Sequence, residues 1–463
     1  MRAFRTEQWV LWAPAFGAAL LVSFAPRPGT WFDEAATISA TSRSWGELYR
    51  LANQHDRALV GYYAATKATA DGLGLDSLTA GRLVSAVALV VATAVVTTIA
   101  NRLWGRRAAF VAGLVVAILP ASAASAVNAR PEAVSVLLLA VYFYAALTTR
   151  PVLQVTSAVA ACLCYALNVL YLPLALAVPI LARRRVASAE AALAGGLSVA
   201  GGAWLLFCEK QKGQVGWIHT NAAVDALASF LRVGVSAPIS SSYQAVTIAT
   251  SVALGVVLTV CAAGLLVRAN TRLVGGTLLL MWVLAPLATS AAVLAGIDVF
   301  AERYFSPSVI PMSLLVGFVA ARSGLPRAAR TIVLGCVVAL SVPSFLSARA
   351  SDGHWGENLT VHERAVHDAG PRRVAFAKPT GRAVLFASGR LDQQWSQETW
   401  WAAARRGGDL WGPERAGGQP TSVVVVDTSK GAHLRSVPGC NFAKVRTLHQ
   451  GARFTTLQVT CRP

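Results

Sequence analysis

Charge is scarce in this chain. Only 14% of its residues are Asp, Glu, Lys or Arg, against about a quarter in average soluble domains, which argues against a large water-soluble core for residues 1–348. Acidic residues are scarcer than basic ones, 22 against 41, and the net charge is +19. Such a balance can suit nucleic acid, but the arginines stand beside apolar runs, where topology control and anionic headgroups account for them. No nucleic-acid motif accompanies them, so nucleic acid is not an expected partner. Cysteine is sparse too, with seven residues. Cys162, Cys164, Cys261 and Cys336 lie in apolar runs and Cys208 ends one; all five read as buried small hydrophobes. The Cys162/Cys164 spacing is not CxxC, which argues against a redox or metal motif there. Internal repeats, low-complexity tracts and long linkers are lacking. No convincing small-residue cleavage site follows Leu20–Phe24, so the first apolar run reads as a retained helix.

Apolar residues make up 55% of the chain. They gather in runs of roughly 17–25 residues, the length that crosses a bilayer as a helix. About eleven spans are expected, near 9–25, 79–100, 108–124, 132–148, 152–167, 169–182, 188–207, 244–267, 274–296, 304–321 and 329–347. With Arg2 and Arg5 in the cytoplasm, the inner connections become Arg102–Arg107, Thr148–Pro151, Arg183–Arg185, Arg268–Arg272 and Arg322–Arg330. All of these carry Arg, as the positive-inside rule requires. The opposite loops hold Asp33/Glu34, Glu132, Glu209 and Asp298/Glu302. Residues 58–73 are moderately apolar but contain Lys67 and Asp71, which suits a helix lying in the outer interface. A second interfacial helix is expected over Ser44–Asn53, with Trp45, Leu48, Tyr49 and Leu51 on one face and Ser44/Glu47 as a capping box. Past residue 348 the composition turns polar, with strand-like runs at Arg373–Ala377, Ala383–Ala387, Ser422–Asp427 and Phe454–Thr460. The expected fold is thus an all-α polytopic membrane protein of about eleven transmembrane helices with a small C-terminal extracytoplasmic α/β domain. Residues 1–348 form the membrane domain, with outer loop 26–78 bearing interfacial helices, and 349–463 form the outer domain. The expected location is the inner (plasma) membrane, multi-pass, with the N-terminus cytoplasmic and the C-terminus extracytoplasmic. In that compartment Cys440 and Cys461, both in the polar tail, are a candidate disulfide pair.

Four groups of charged residues fall on the outer face. Asp33–Glu34 follows the first span; an acidic pair there suits a helix N-terminus, or a partly desolvated general base. His55–Asp56 caps the next interfacial helix or helps to hold an acceptor. With other carboxylates the pair could also hold a divalent metal, but one His and one Asp are too few to define a metal site, so the cofactor is unknown and none is assigned. Arg130 and Glu132 flank Pro131 where a span restarts, and charge at such a depth is costly; the two suit either snorkelling with a local salt bridge, or a phosphate gripped by Arg130 with Glu132 orienting it. Glu302, Arg303 and Tyr304 open the tenth span, and an Arg on the side that disfavours positive charge suits a phosphate clamp. A carboxylate with two guanidiniums fits an acceptor hydroxyl attacking a sugar carried on a lipid phosphate.

In order and spacing, WFDEA (31–35), HDRALVGYY (55–63), RLWGRR (102–107), NARPEA (128–133) and ERYFSPSVIP (302–311) resemble the motifs of GT-C membrane glycosyltransferases. The likeness is to the bacterial dolichyl-phosphate-mannose-protein-mannosyltransferase-like group in particular, over roughly residues 9–320. The resemblance implies Asp33 as the catalytic carboxylate and Arg130 and Arg303 near the lipid phosphate. It also implies a polyprenyl-monophosphate-sugar donor and single-displacement inversion. The common HPPL segment is replaced here by HDRAL, and the Glu of EARP by Asn128.

The function so implied is an inverting glycosyltransferase of cell-envelope biosynthesis. It moves a sugar, mannose by analogy, to a glycan, glycolipid or protein acceptor among the membrane lipids. Asp33 is catalytic, Arg130, Arg303 and Tyr304 bind the donor phosphate, and Glu34, His55, Asp56, Glu132 and Glu302 serve the acceptor or support the site. Two alternatives stand beside it: a lipid-linked-sugar transporter or flippase, and a non-catalytic scaffold of the same fold. The sequence offers the first of these no inverted repeat and no pair of Gly/Pro-broken helices at mid-membrane.

Overall fold

The computed structural model describes residues 16–17, 20, 28–54, 56–209, 244–294, 302–322, 324–350, 358–368, 374–376, 383–384, 422–427, 441–450 and 454–462. The first expected span lies almost wholly outside these residues. So do His55, Asp298 and Cys440, and the side chains of Glu209, Glu302, Arg303 and Cys461.

Among the described residues, six helices are long and apolar enough to cross a membrane, and three shorter apolar helices accompany them. Every expected span from the second to the eleventh coincides with a helical segment. Three small helices come first: α1 (Phe32–Thr41), α2 (Trp45–Gln54) and, after a 3-10 turn at Arg57–Leu59, α3 (Val60–Leu73). The longest helix, α4 (Ser77–Trp104), starts where the Asp76 side chain accepts the Thr79 amide at 2.9 Å, a cap that satisfies one orphan donor. It ends at Gly105, whose φ of 87° allows the tight turn into the next helix. Then follow α5 (Arg106–Ile118), α6 (Pro120–Ser125), α7 (Glu132–Leu147) and α8 (Pro151–Cys164). A 3-10 run at Ala166–Leu176 leads into α9 (Ala177–Leu181). The remaining spans are α10 (Ser188–Glu209), α11 (Gln244–Leu266), α12 (Arg272–Leu294), α13 (Val309–Arg322) and α14 (Arg327–Ser347).

Proline explains where spans depart from simple helices. The third span breaks at Leu119, extended at ψ 137°, because Pro120 disfavours helical backbone in the residue before it. The sixth opens as the 3-10 run that holds Pro173, and the tenth opens as a 3-10 segment, Glu302–Ser308, that holds Pro307. These two irregular segments meet: the Tyr171 hydroxyl and Ser308 Oγ are 2.9 Å apart. A pair of proline-interrupted spans therefore exists, at the entry ends of the helices rather than at mid-membrane.

Small residues set how closely the spans pack. A Cβ on Gly317 of α13 would lie 2.7 Å from the Ala108 carbonyl oxygen of α5, so the two backbones touch there, as in other membrane bundles. Trp104 meets Phe318 edge-on at 5.1 Å beside that seam.

The capping box of α2 is present in part: Glu47 accepts the Ser44 amide at 3.0 Å, and the Ser44 hydroxyl at 2.5 Å. The expected single apolar face is not. Leu48, Leu51 and Ala52 are buried, whereas Trp45 and Tyr49, one turn apart, are exposed. The helix carries two apolar stripes, one toward the protein and one away from it.

The C-terminal part holds α15 (Leu359–Asp368) and strands β1 (Val374–Phe376), β2 (Ser422–Asp427), β3 (Asn441–Gln450) and β4 (Thr455–Arg462) in the order β1-β2-β4-β3. β1 pairs parallel with β2, and the other two pairings are antiparallel. Ala383 and Val384 form a buried 3-10 turn where a strand was expected. β3 escaped the sequence reading because Lys444 and Arg446 interrupt its apolar alternation; they are exposed on an edge strand, where charge discourages pairing with other chains.

Candidate active site

The acidic pair of α1 divides its work. Trp31 is extended, and Asp33 and Glu34 occupy the first turn, where the helix dipole favours negative charge. Glu34 is fully buried. Its two carboxylate oxygens take Arg82 Nε and Nη2, each at 2.8 Å, and Oε1 also takes the Ala129 amide at 2.8 Å. Arg82 Nη2 reaches the Pro28 carbonyl as well, at 3.1 Å. One bidentate ion pair thus clamps three segments: the strap before α1, the start of α4, and the NARPE turn. Both oxygens of Glu34 are thus engaged within the protein.

Asp33 points the other way. Its Oδ2 lies 3.8 Å from Arg130 Nη2, and Arg130 Nη1 is 3.5 Å from the Asp33 carbonyl oxygen. That is an ion pair at the limit of contact rather than a tight hydrogen bond. The NARPE backbone beneath it is fixed, since Thr37 Oγ1 donates to the Ala129 carbonyl at 2.9 Å and Ser85 Oγ to the Arg130 carbonyl at 3.1 Å. Arg130 is only 8% exposed, and its Nε has no hydrogen-bond partner among the described residues. Burial works against its charge, but the carboxylates of Asp33 and Glu132 outweigh that and hold the guanidinium above its usual range. Glu132 is buried at the start of α7.

Asp56 joins the same electrostatic group. It is buried, and Tyr63 donates its hydroxyl to Asp56 Oδ2 at 2.5 Å. Burial pushes the Asp56 carboxyl up to about 6; the Tyr63 hydrogen bond and the Arg130 charge oppose this, and the Asp33 charge adds to it. The Tyr63 phenol is driven well above its ordinary value by burial and by Asp56. Tyr62 and Tyr63 are both wholly buried, and the Tyr62 hydroxyl donates to the Gly81 carbonyl at 3.3 Å. Neither is the headgroup anchor that tyrosines at an interface would suggest. Arg57 binds the Asn53 and Phe207 carbonyls and stacks 3.6 Å over the Phe207 ring.

Tyr304 reaches the same end of the bundle. It packs edge-on against Tyr165 at 5.7 Å and belongs to one apolar cluster with Leu59, Tyr62 and Tyr63. Asp33, Arg130, Glu132 and Asp56 therefore converge, and Tyr304 joins the apolar cluster that holds Tyr63. His55 and the side chains of Glu302 and Arg303 lie outside the described residues, as do Cys440 and the side chain of Cys461. No group of three or more His, Cys, Asp or Glu residues among the described ones could hold a metal ion. Sequence reasoning missed Arg82. The signal was there, since a charge just inside an apolar run is expensive unless it is paired.

No family model matches the sequence, and no curated protein matches it. Among solved structures, the crystal structure of ArnT from Cupriavidus metallidurans in the apo state aligns with a TM-score of 0.55 at 12% identity, covering 98% of each chain. An oligosaccharyltransferase from Archaeoglobus fulgidus, AglB, solved with an inhibitory peptide and a dolichol-phosphate, gives 0.48 at 9% identity, covering 91% of this chain and 70% of that one. The apo form of the oligosaccharyltransferase from the same organism gives 0.46 at 11% identity, covering 84% and 64%. The ArnT likeness extends over nearly all of both chains, so this chain shares the fold of that structure.

Proposed function

We propose that the chain is an inverting glycosyltransferase that moves a sugar, mannose in the first instance, from a polyprenyl monophosphate to an extracytoplasmic acceptor of the cell envelope. The observation that carries this reading is the Asp33–Arg130 pair, 3.8 Å apart in a buried corner with Asp56 and Tyr63 beside it. Asp33 removes the proton from an acceptor hydroxyl. The acceptor oxygen bonds to C1 of the sugar as the bond from C1 to the phosphate oxygen breaks, and the electron pair leaves on the polyprenyl phosphate. Arg130 takes up that charge, with Arg303 as its expected partner; fixed cations where charge develops are effective in a site screened from water. The proton on Asp33 then passes to water. Glu132 and Asp56 hold the Arg130 guanidinium charged and in place.

Orientation follows the charges. Arg82 and Arg102 stand on one helix, twenty residues apart, a rise of roughly 30 Å, the thickness of a hydrocarbon core. The Arg102 end also holds the contacts of Arg184 with Glu190 and the Ala146 carbonyl, and of Arg330 with the Ala320 carbonyl. That basic end suits the cytoplasm and the Asp33 end the outside; residues 349–463 then lie outside as well.

A second reading is a flippase for the same lipid, although the two proline-interrupted segments that meet at Tyr171 and Ser308 stand at helix entries, not at the mid-membrane position that such proteins use. Proteoliposomes given a synthetic polyprenyl-phosphate mannose separate the two. Under the first reading, Asp33→Asn abolishes sugar transfer to envelope glycans. Wild-type transfer by that variant removes the base assignment, and Asp33-independent donor translocation supports the flippase.

A further inference from the structure

The C-terminal part touches the membrane part immediately upstream of Asp33. The Leu359 amide, at the first residue of α15, donates to the Thr30 carbonyl at 2.8 Å. Next to it, the Asn358 side chain lies directly over Gly29: a Cβ on Gly29 would sit 2.2 Å from its Oδ1 and 2.8 Å from its Nδ2. Thr30, Trp31 and Leu359 are all buried. On the other side of the same strap, Arg82 grips the Pro28 carbonyl. The strap therefore runs between two walls, one made by α4 and one by the entry to α15, and it feeds straight into the first turn of α1.

We propose that Asn358 and Leu359 are positioning residues for Asp33: the C-terminal domain seats the Pro28–Trp31 strap and so sets where the Asp33 carboxylate stands relative to Arg130. This rests on the glycosyltransferase reading for its kinetic consequence, though the mechanical coupling stands without it. The physical reason is leverage. Asp33 is two residues past Trp31, and its ion pair with Arg130 is already at the limit of contact. A shift of the strap by one atom's width changes that distance by about 1 Å, enough to cost on the order of 100-fold in a positioned reaction. A bond from the outer domain at this point makes that domain part of the catalytic unit. An acceptor that moved α15 would act on Asp33 without touching it.

The test is a double-mutant cycle on the full-length protein in nanodiscs, Gly29→Val against Asn358→Gly, with Asp33→Asn as control. Two quantities are read: hydrogen exchange of the peptide covering α1, and turnover of synthetic polyprenyl-phosphate mannose. Gly29→Val alone displaces the Asn358 side chain, which lies where the new Cβ would stand. It is expected to raise exchange in α1 about tenfold and to lower kcat by about 10- to 100-fold with donor KM within about twofold. Asn358→Gly opens that space, so the double variant is expected to return both to within about threefold of Asn358→Gly alone. Multiplicative effects, or a change confined to donor KM, overturn the proposal. If Gly29→Val fails to accumulate in membranes, Leu359→Ala and Leu359→Pro carry the test. Both truncate or replace the side chain, but only Pro removes the N–H that Thr30 accepts, at a helix position where Pro is tolerated. Faster α1 exchange in the Pro variant than in the Ala variant is expected, and equal exchange sinks the coupling. If coupling is seen in exchange while Asp33→Asn retains full transfer, the glycosyltransferase reading fails and the mechanical link remains.

Discussion

Tyr63 donates its hydroxyl to Asp56 across 2.5 Å, with both side chains buried and the charges of Arg130 and Asp33 acting on the same carboxylate. Burial raises Asp56 to about 6, so this group titrates near neutral pH. The ionised carboxylate is the form that accepts from Tyr63 and faces Arg130. Transfer is expected to fall as pH drops through about 6, and Asp56→Asn to flatten that limb of the profile. Stability should move the opposite way. An acid whose folded pKa is raised holds its proton more tightly when folded, so its buried charge counts against the fold above about pH 6, and acidification toward about 4 relieves that cost. Thermal aggregation midpoints across this range check the second half: a midpoint that rises equally in wild type and Asp56→Asn would assign the effect elsewhere.

Asp33→Asn and Arg130→Ala should fail differently. Loss of a general base is expected to lower kcat by roughly 100- to 10,000-fold with little change in donor KM. On the proposed mechanism, loss of Arg130 removes a contact to the phosphate as well as to its developing charge, so donor KM should rise and kcat fall by at least about 100-fold. Steady-state kinetics on polyprenyl-phosphate mannose distinguish the two, and identical profiles would mean that both residues serve the fold alone.

Glu34→Gln and Arg82→Ala are expected to weaken the protein rather than its chemistry. Each strands a buried partner of the bidentate pair, at a cost of about 3–5 kcal/mol. The midpoint for thermal aggregation in detergent should drop sharply for both singles. Glu34→Gln combined with Arg82→Met, which removes both charges, should recover much of the loss.

Gly317→Val tests the packing of the bundle. The added atoms meet the Ala108 carbonyl oxygen, where a Cβ already comes to 2.7 Å, and backbone cannot yield as a side chain can. Reduced accumulation in membranes is expected, whereas Gly335→Val, at a position with nothing within 4 Å, should be neutral. Equal yields would mean that α5 and α13 are not held at this seam.

Much of this was legible in the chain because a membrane turns charge into position. Asp33, Arg130 and Tyr304 each stand at the end of an apolar run, and the alternation of basic and acidic loops placed them at one end before any coordinates did. Arg82 was hidden because it falls inside a run counted as a span; its partner Glu34 is 48 residues away in sequence, a distance over which pattern carries no information. A tyrosine beside an interfacial helix has two stable uses, at the headgroups or inside, and for Tyr62 and Tyr63 only packing against Gly81 and Asp56 decides. The 3-10 run at Ala166–Leu176 was invisible for another reason. Its residues are as apolar as any helix, and the single Pro173 did not announce how far the irregularity extends. In the C-terminal part, β2 and β4 were readable from β-branched runs, while β3 alternates too imperfectly to declare itself.

The acidic doublet has one more implication. Successive residues on an α-helix diverge by about 100°, so two neighbouring carboxylates cannot look into the same space. The winding of α1 makes Glu34 a rivet and, on the proposed mechanism, leaves Asp33 as the tool. Swapping the two side-chain lengths, by Asp33→Glu together with Glu34→Asp, would leave composition and charge untouched, yet it would shorten the rivet and overextend the tool. A search for relatives of this chain should therefore treat Asp-then-Glu as an ordered pair, in which transposition signals a different machine rather than a conservative drift.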